Sequence, residues 1–232
     1  MKWGILGALD AEVDLICNQM TVTAETPLFG TTYYEGTVYG QEIVVACCGV
    51  GKVNAAICAA AAMHQFGADC IINIGIAGAM EHGLHVLDVV ISSEVGFHDQ
   101  DAVMLKYYPK HAFFPADAAL ITLCEQACRT IPDMAGRYRR GRIVSGDIFV
   151  QDAAVKASIA ERYAPACVEM EGAAVGHAAF MYEKPYLVIR TMSDTADDDA
   201  TKTYDNFMQE AAHTSATIVL KMLELSAARE SA

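Results

Sequence analysis

Apolar and polar positions along the chain recur with periods of about two and about 3.6 residues, and the switches between them predict its elements. Residues 2–9 form an apolar run that predicts a first strand. Asp10-Ala11-Glu12 then opens an amphipathic helix with Val13, Ile16, Cys17 and Met20 on one face. Residues 31–38 and 42–48 read as an antiparallel pair joined by a turn at Tyr39-Gly40. Gly49-Val50-Gly51-Lys52 leads into an Ala-rich helix over 52–66, followed by a strand at 70–74, a second glycine turn at Gly75-Ile76-Ala77-Gly78 and a strand at 87–93. The segment from Phe97 to Pro115 is long, aromatic and irregular, the kind of loop that serves as a lid or a subunit contact. A helix over 117–130, a strand at 141–145, a turn through Ser145–Val150 and a helix from 152 come next. Ala166–Glu171 predicts a buried strand ending in two carboxylates, with a helix starting at once at Gly172-Ala173-Ala174. After Pro185, residues 186–190 form a strand ending in Thr191-Met192-Ser193-Asp194. Asp197-Asp198-Asp199 reads as a solvated loop, and Thr203 to about Leu225 as a closing amphipathic helix. This alternation predicts an α/β fold: a single domain over 1–232 with a central mixed, twisted and largely parallel sheet flanked by helices.

Composition narrows the function. Hydrophobic residues make up 53% and charged residues 19% of the 232, more apolar surface than a soluble monomer needs, so a homo-oligomer is expected. The balance of 29 acidic against 16 basic residues gives a net charge of −13, whose field repels phosphate backbones and anionic lipid. Nucleic acid and membrane are therefore excluded as partners, and no run approaches the roughly 20 apolar residues needed to span a bilayer. The basic cluster Arg137-Tyr138-Arg139-Arg140 reads as a solvated turn. The chain opens on a strand with Asp10 and Glu12 too early for a signal peptide, and its eight cysteines contain no CxxC pair. Reduced thiols packed as small apolar groups, in a cytoplasmic protein, are expected. His82 and His85 lack accompanying ligands, so neither a metal nor a cofactor is expected.

The chemistry gathers at Val168-Glu169-Met170-Glu171-Gly172. Carboxylates beside an apolar strand lose hydration, which must be compensated. At a strand's carboxyl end, beside a helix amino terminus, they lie where open α/β sheets bind ligands. Equally, Glu171 could cap the helix by charge–dipole attraction with Glu169 exposed, and this stretch alone leaves both open. Gly49–Lys52 fails the Walker pattern because Val53 follows the lysine; its glycines suit a tight turn beside a ligand. The turns at Glu12, Gly49–Gly51, Gly75–Gly78, Glu169–Glu171 and Ser193–Asp194 are five that could converge at one sheet edge.

Taken together, Gly7-Ala8 with Glu12, Gly49-Val50-Gly51-Lys52, Asn73-Ile74-Gly75 with Ala77-Gly78, Ser145-Gly146-Asp147 with Phe149, Val168-Glu169-Met170-Glu171, and Arg190 with Ser193-Asp194 resemble one family. It is the bacterial 5′-methylthioadenosine/S-adenosylhomocysteine nucleosidases of the purine nucleoside phosphorylase superfamily, and the similarity runs in register from the first strand to the last helix. The resemblance implies a nucleoside phosphorylase-like fold and hydrolysis of the N-glycosidic bond of a 5′-thio-substituted adenosine, releasing adenine. By the same resemblance Asp194 protonates N7 of the leaving purine, Ser193 orients Asp194, Glu12 activates water, and Glu171 accepts from the ribose hydroxyls. It further implies Phe149 stacked on adenine, the Val150 backbone at its edge, Met170 under the ribose and Arg190 beside the acids. Leu9, Val50, Leu105, Phe113 and Tyr204 would wall the 5′ substituent, some of them and Tyr107 reaching across a homodimer. Two departures from the family pattern stand out. Ile76 stands where many members have Ser or Thr, and Tyr204 and Ala102 replace a commoner Phe and Val, which points to a shifted 5′ preference.

Three other functions compete. A phosphorylase needs cationic phosphate donors, but Asn73 and Ile76 hold those places and Glu12 would repel the anion. A futalosine-type nucleosidase differs only in the 5′ group and the base. A binding protein without turnover would not need all three acids.

Overall fold

The computed structural model describes residues 1–196 and 200–230. The Asp197–Asp199 run expected to form a loop therefore lies outside the described residues. In chain order the elements are β1 (Lys2–Gly7), α1 (Asp10–Gln19), β2 (Thr21–Leu28), β3 (Thr31–Val38), β4 (Gln41–Cys47), α2 (Lys52–His64), β5 (Cys70–Ala79) and β6 (Val89–Phe97). A 3₁₀ turn (Ala102–Lys106) precedes β7 (Phe113–Pro115), α3 (Ala118–Thr130), β8 (Tyr138–Ser145), α4 (Ala153–Tyr163), β9 (Cys167–Glu169), α5 (Gly172–Met181), β10 (Tyr186–Asp194) and α6 (Ala200–Glu230).

Among the described residues ten strands join one sheet in the order β10-β6-β8-β9-β5-β1-β4-β3-β2, with β7 on β6. Because β10 also pairs with β5, strands β5, β10, β6, β8 and β9 close on one another. The pairs β1–β4, β1–β5, β5–β10, β6–β8 and β8–β9 are parallel, whereas β2–β3, β3–β4, β5–β9, β6–β7 and β6–β10 are antiparallel. The sheet is thus mixed as expected, and less parallel than the alternation of elements suggested. Register brings Gly7 beside Cys47, Gly78 beside Asp194, and Ser145 beside Glu169, so the carboxyl ends of β1, β4, β8, β9 and β10 open onto one edge.

The interior lies on both faces of the sheet. One layer packs Ala55, Ala59, Ala62 and Met63 of α2 and Ala173, Val175 and Ala179 of α5 against Leu6, Val44 and Ile71. The other packs Val13 and Ile16 of α1, Leu120 and Cys124 of α3, and Ile218, Val219 and Met222 of α6 against Trp3, Ile5 and Ile72. The run of small residues in α2 and α5 allows the helices to lie close on the β-branched strands. The eight cysteines are all free and none is exposed. Among the described residues no helix is long and apolar enough to cross a membrane, and no cluster of three potential metal ligands occurs, at His82 and His85 or elsewhere.

Three expectations change. Thr21–Leu28 is a strand, although most of it is solvent-exposed and it carries no alternating apolar face. The glycine turn at 75–78 is instead the continuation of β5, and 191–194 continues β10; the two strands stay paired to Asp194 and Gly78. The Arg137–Arg140 cluster leads into β8, held by Arg137–Asp88 (3.2 Å), Arg139–Glu81 (3.3 Å) and Arg140–Glu125 ion pairs. These pairs are largely surface contacts worth little individually, but they explain why adjacent arginines can begin a strand.

Candidate active site

Glu12 is carried by the first turn of α1, where the chain leaves β1. Its Oε2 accepts from the N–H groups of Ala8 (2.6 Å) and Leu9 (3.0 Å), and its Oε1 from that of Ile76 on β5 (3.2 Å). The carboxylate lies against bare backbone: a side chain at Gly75 would place its first carbon 2.7 Å from Glu12 Oε1. Glycine inside a strand is thus required here by close approach, not by a turn. Burial pushes the Glu12 carboxyl above the usual range, opposed by nearby Arg190 and the three N–H donors. Such an acid is a stronger base than one in water.

Glu169 and Glu171 divide their roles in a way neither reading of the stretch anticipated. Glu169, at the end of β9, is buried and serves the helix: its Oε2 accepts from the N–H groups of Glu171 (3.0 Å) and Gly172 (2.7 Å). Ser145 Oγ donates to the other oxygen of Glu169 and accepts from Ala173 N–H (2.7 Å). Glu171 occupies the N-cap position without a side-chain cap; its Oε1 instead accepts from Gly51 N–H (2.7 Å) across the site. Burial and the charge of Glu169 raise Glu171, to about 7, against the pull of Arg190 and the Gly51 donor.

Arg190 is fully buried. It pairs with Glu169, lies 3.9 Å from Glu171, and donates to Asn73 Oδ1 (2.6 Å) and Asn73 O (3.3 Å). It is the counter-ion beneath the acids, beside them as the resemblance implies, but it does not line the cavity and so is not placed to bind substrate directly. Further along β10, Asp194 accepts from Ser193 Oγ (2.8 Å) through Oδ2 and from Ala196 N–H (2.8 Å) through Oδ1. Gly78 leaves the space for it, since a side-chain carbon there would come within 2.8 Å of Oδ1.

Glu12, Glu171 and Asp194 line one cavity of about 350 Å³, together with Leu9, Val50, Ile76, Phe149, Val150, Met170, Ser193 and Tyr204. Phe149 is 40% exposed and meets Tyr204 edge-on at 5.8 Å, forming an aromatic corner. Burial, then the carboxylates of Glu12, Asp205, Asp194 and Glu171, raise the Tyr204 phenol. A cavity with one aromatic wall, aliphatic surfaces and carboxylates at separate positions suits a flat heteroaromatic ring joined to a hydroxylated group.

Comparison with known proteins agrees. Residues 2–224 match the model of the Phosphorylase superfamily. A 5′-methylthioadenosine/S-adenosylhomocysteine nucleosidase of an Exiguobacterium species is 36% identical, covering 95% of this chain and 96% of its own. The chain belongs to this nucleosidase family. The crystal structure of a Neisseria meningitidis member in complex with methylthio-immucillin-A superposes with a TM-score of 0.92 at 35% identity, covering 97% of this chain and 99% of that one. A futalosine hydrolase of Helicobacter pylori superposes with a TM-score of 0.89 at 28% identity, covering 97% and 98%.

Three residues expected around the 5′ substituent, some of them from a second subunit, lie outside the cavity of their own chain. Leu105 and Tyr107 are exposed in and just after the 3₁₀ turn, and Phe113 on β7 packs under the Arg142 guanidinium, 4.1 Å from its ring centre. None of them, nor exposed Ala102, lines the cavity of their own chain. Conversely, Ser145, Asn73 and Asp205 take part without having been singled out as site residues. Ser145 had a signal, since it opens the Ser-Gly-Asp motif; Asp205 is a polar helix position like many others.

Proposed function

We propose that this enzyme hydrolyses the N-glycosidic bond of 5′-methylthioadenosine, S-adenosylhomocysteine and related 5′-substituted adenosines by an inverting attack of water. The observation that carries this reading is the presence of Glu12, Glu171 and Asp194 in one cavity. Adenine leaves poorly as an anion, so Asp194 protonates N7 as the bond to C1′ stretches, with Ser193 fixing the carboxyl by its hydrogen bond. Glu12, made more basic by burial, takes a proton from the attacking water on the opposite face. Glu171 accepts from the ribose hydroxyls, contacts that strengthen as the sugar becomes oxocarbenium-like. Phe149 stacks on the purine, Val150 meets its edge, Met170 lies under the ribose, and Leu9, Val50 and Tyr204 face the 5′ group. Arg190 keeps the acids in place from below.

The phosphorylase alternative is disfavoured because no lysine or arginine lines the cavity among the described residues, leaving a phosphate anion without a cationic partner. A futalosine-type substrate remains the second reading, favoured by the superposition on the Helicobacter pylori hydrolase. The deciding experiment measures adenine release from methylthioadenosine with and without phosphate, beside S-adenosylhomocysteine and futalosine. Phosphate-independent adenine release supports the proposal; release only with phosphate, turnover of futalosine alone, or tight binding without release would replace it.

The same reading takes the enzyme as a homodimer. Val53 and Ile57 on α2 line one exposed apolar depression with Met181 and Tyr182 at the end of α5, and Tyr107 and Tyr108 just after the 3₁₀ turn are exposed as well. Leu105, Tyr107 and Phe113 would then complete the partner's 5′ pocket. Sedimentation showing a monomer at working concentration would remove this part.

A further inference from the structure

We propose that Lys52, a residue outside the cavity, is a positioning residue that clasps the base-facing loop to the turn holding Glu171. This inference rests on the nucleosidase reading above and adds a residue to it. Three segments distant in sequence meet at Lys52. Its Nζ lies 2.6 Å from Asp99 Oδ2 and 3.4 Å from Asp147 Oδ2, and its own N–H donates to Asp147 Oδ1 at 3.0 Å. Asp147 N–H in turn donates to Asp99 Oδ2 at 2.9 Å, which closes a ring of contacts. The ring is tied to both functional groups by the main chain. Gly51, the residue before Lys52, donates to Glu171 Oε1, and Asp147 stands two residues before Phe149. Beneath it the loop is seated firmly: Gly146 N–H donates to Glu169 O (3.1 Å), and the His98 ring fills the space a Gly146 side chain would need.

The charges are placed for leverage. The Lys52 and Asp99 side chains are 24% and 17% exposed, shielded enough to hold a fixed geometry yet open enough to solvent for added salt to weaken their attraction. Phe149, by contrast, is 40% exposed and belongs to a segment, residues 146–152, without helix or strand. The segment is anchored at its two ends, by Gly146 and by Val150, which is buried among Val144, Ile159 and Val168, so the exposed stretch between them that carries Phe149 takes its position from the clasp at Asp147. A stacking ring displaced by a fraction of its width loses contact with the base, while acids anchored by other groups remain in place. The clasp therefore governs nucleoside affinity more than the chemical step.

The test compares Lys52→Met, Lys52→Arg and Asp99→Asn with the unaltered enzyme at equal oligomeric state. The readouts are KM and kcat for methylthioadenosine, and adenine affinity by calorimetry. Lys52→Met and Asp99→Asn should each raise KM and the adenine Kd roughly tenfold, the size of one lost charge-assisted hydrogen bond, with a smaller fall in kcat. Lys52→Arg should recover most of the loss, and the double variant should be little worse than either single one. A variant that fails to fold does not stop the test, because methylthioadenosine is uncharged. In the unaltered enzyme its KM should rise several-fold between about 0.02 and 0.5 M salt as the clasp is screened. Folded variants with unchanged KM and adenine Kd, a lowered melting temperature alone, or a salt-independent KM would overturn the proposal. Absence of any adenine release from the unaltered enzyme would instead sink the nucleosidase reading, and adenine binding would still report on the clasp.

Discussion

Replacing Arg190 by Met takes away the guanidinium that neutralises Glu169 and draws down Glu171 and Glu12. Arg190 is 1% exposed and Glu169 6%, so the change strands carboxylates where water cannot solvate them. Removing one partner of such a buried pair costs about 3–5 kcal/mol. That is a large share of the roughly 5–15 kcal/mol by which a typical domain is stable. The loss should depend on pH, and its sign follows from the raised carboxyls. A carboxyl whose folded pKa lies above its unfolded value stabilises the fold in its protonated form. That contribution is complete below the unfolded value and disappears as pH rises through the folded one. Glu171 already titrates at about 7 in the folded enzyme, against 4.5 for the ordinary group, and Glu12 is also raised. Without Arg190 both move further up. The variant should therefore lie closest to the unaltered protein in mild acid, and its deficit should widen as pH passes through neutrality. Urea unfolding at about pH 5.5 and about pH 8, followed by fluorescence of the single tryptophan, the buried Trp3, measures this directly. A deficit of equal size at both pH values, or none, would refute the assignment of Arg190 as counter-ion.

Three further outcomes are expected. Glu12→Gln and Asp194→Asn should each lower turnover of methylthioadenosine by roughly 10²–10⁴-fold with the fold intact by circular dichroism, and near-normal turnover in either would remove its role. Gly51→Ala should lower stability by about 1–2 kcal/mol in thermal unfolding, because its φ of 101° suits glycine and the added carbon would lie 3.2 Å from Asp147 Oδ1. An unchanged melting temperature would show that the turn relaxes freely. Tyr204→Phe keeps the aromatic corner and deletes the hydroxyl, so the ratio of rates on methylthioadenosine, S-adenosylhomocysteine and 5′-deoxyadenosine should shift by up to about tenfold. An identical profile would mean that the hydroxyl takes no part in the 5′ preference.

Most elements were legible in the sequence because their apolar periodicity is strong: α2, α3, β4 and the start of β10 lie within a few residues of where the pattern put them. β2 was invisible because both its faces are largely in solvent, leaving only its threonines and valine as a signal. Gly75 and Gly78 misled for a physical reason. Glycine usually marks a turn, whereas here it marks strand positions against which Glu12 and Asp194 are pressed, a fact that exists only in three dimensions. The motifs sufficed to bring Glu12, Glu171 and Asp194 together, but the exchange of duties between Glu169 and Glu171 depends on which of them points at the helix amides. That direction is set by tertiary packing. Leu105, Tyr107 and Phe113 lie outside the cavity of their own chain, and the apolar pattern along the sequence carries no signal for that.

The donors that grip the three acids include the amides of Ala8, Leu9, Gly51, Ile76 and Ala196, and an amide persists whatever side chain the codon specifies. The surrounding walls can drift to accept a different substituent while that grip carries over. Redesign of such a scaffold has wide freedom at Tyr204 or Val50, and little need to touch the machinery beneath them.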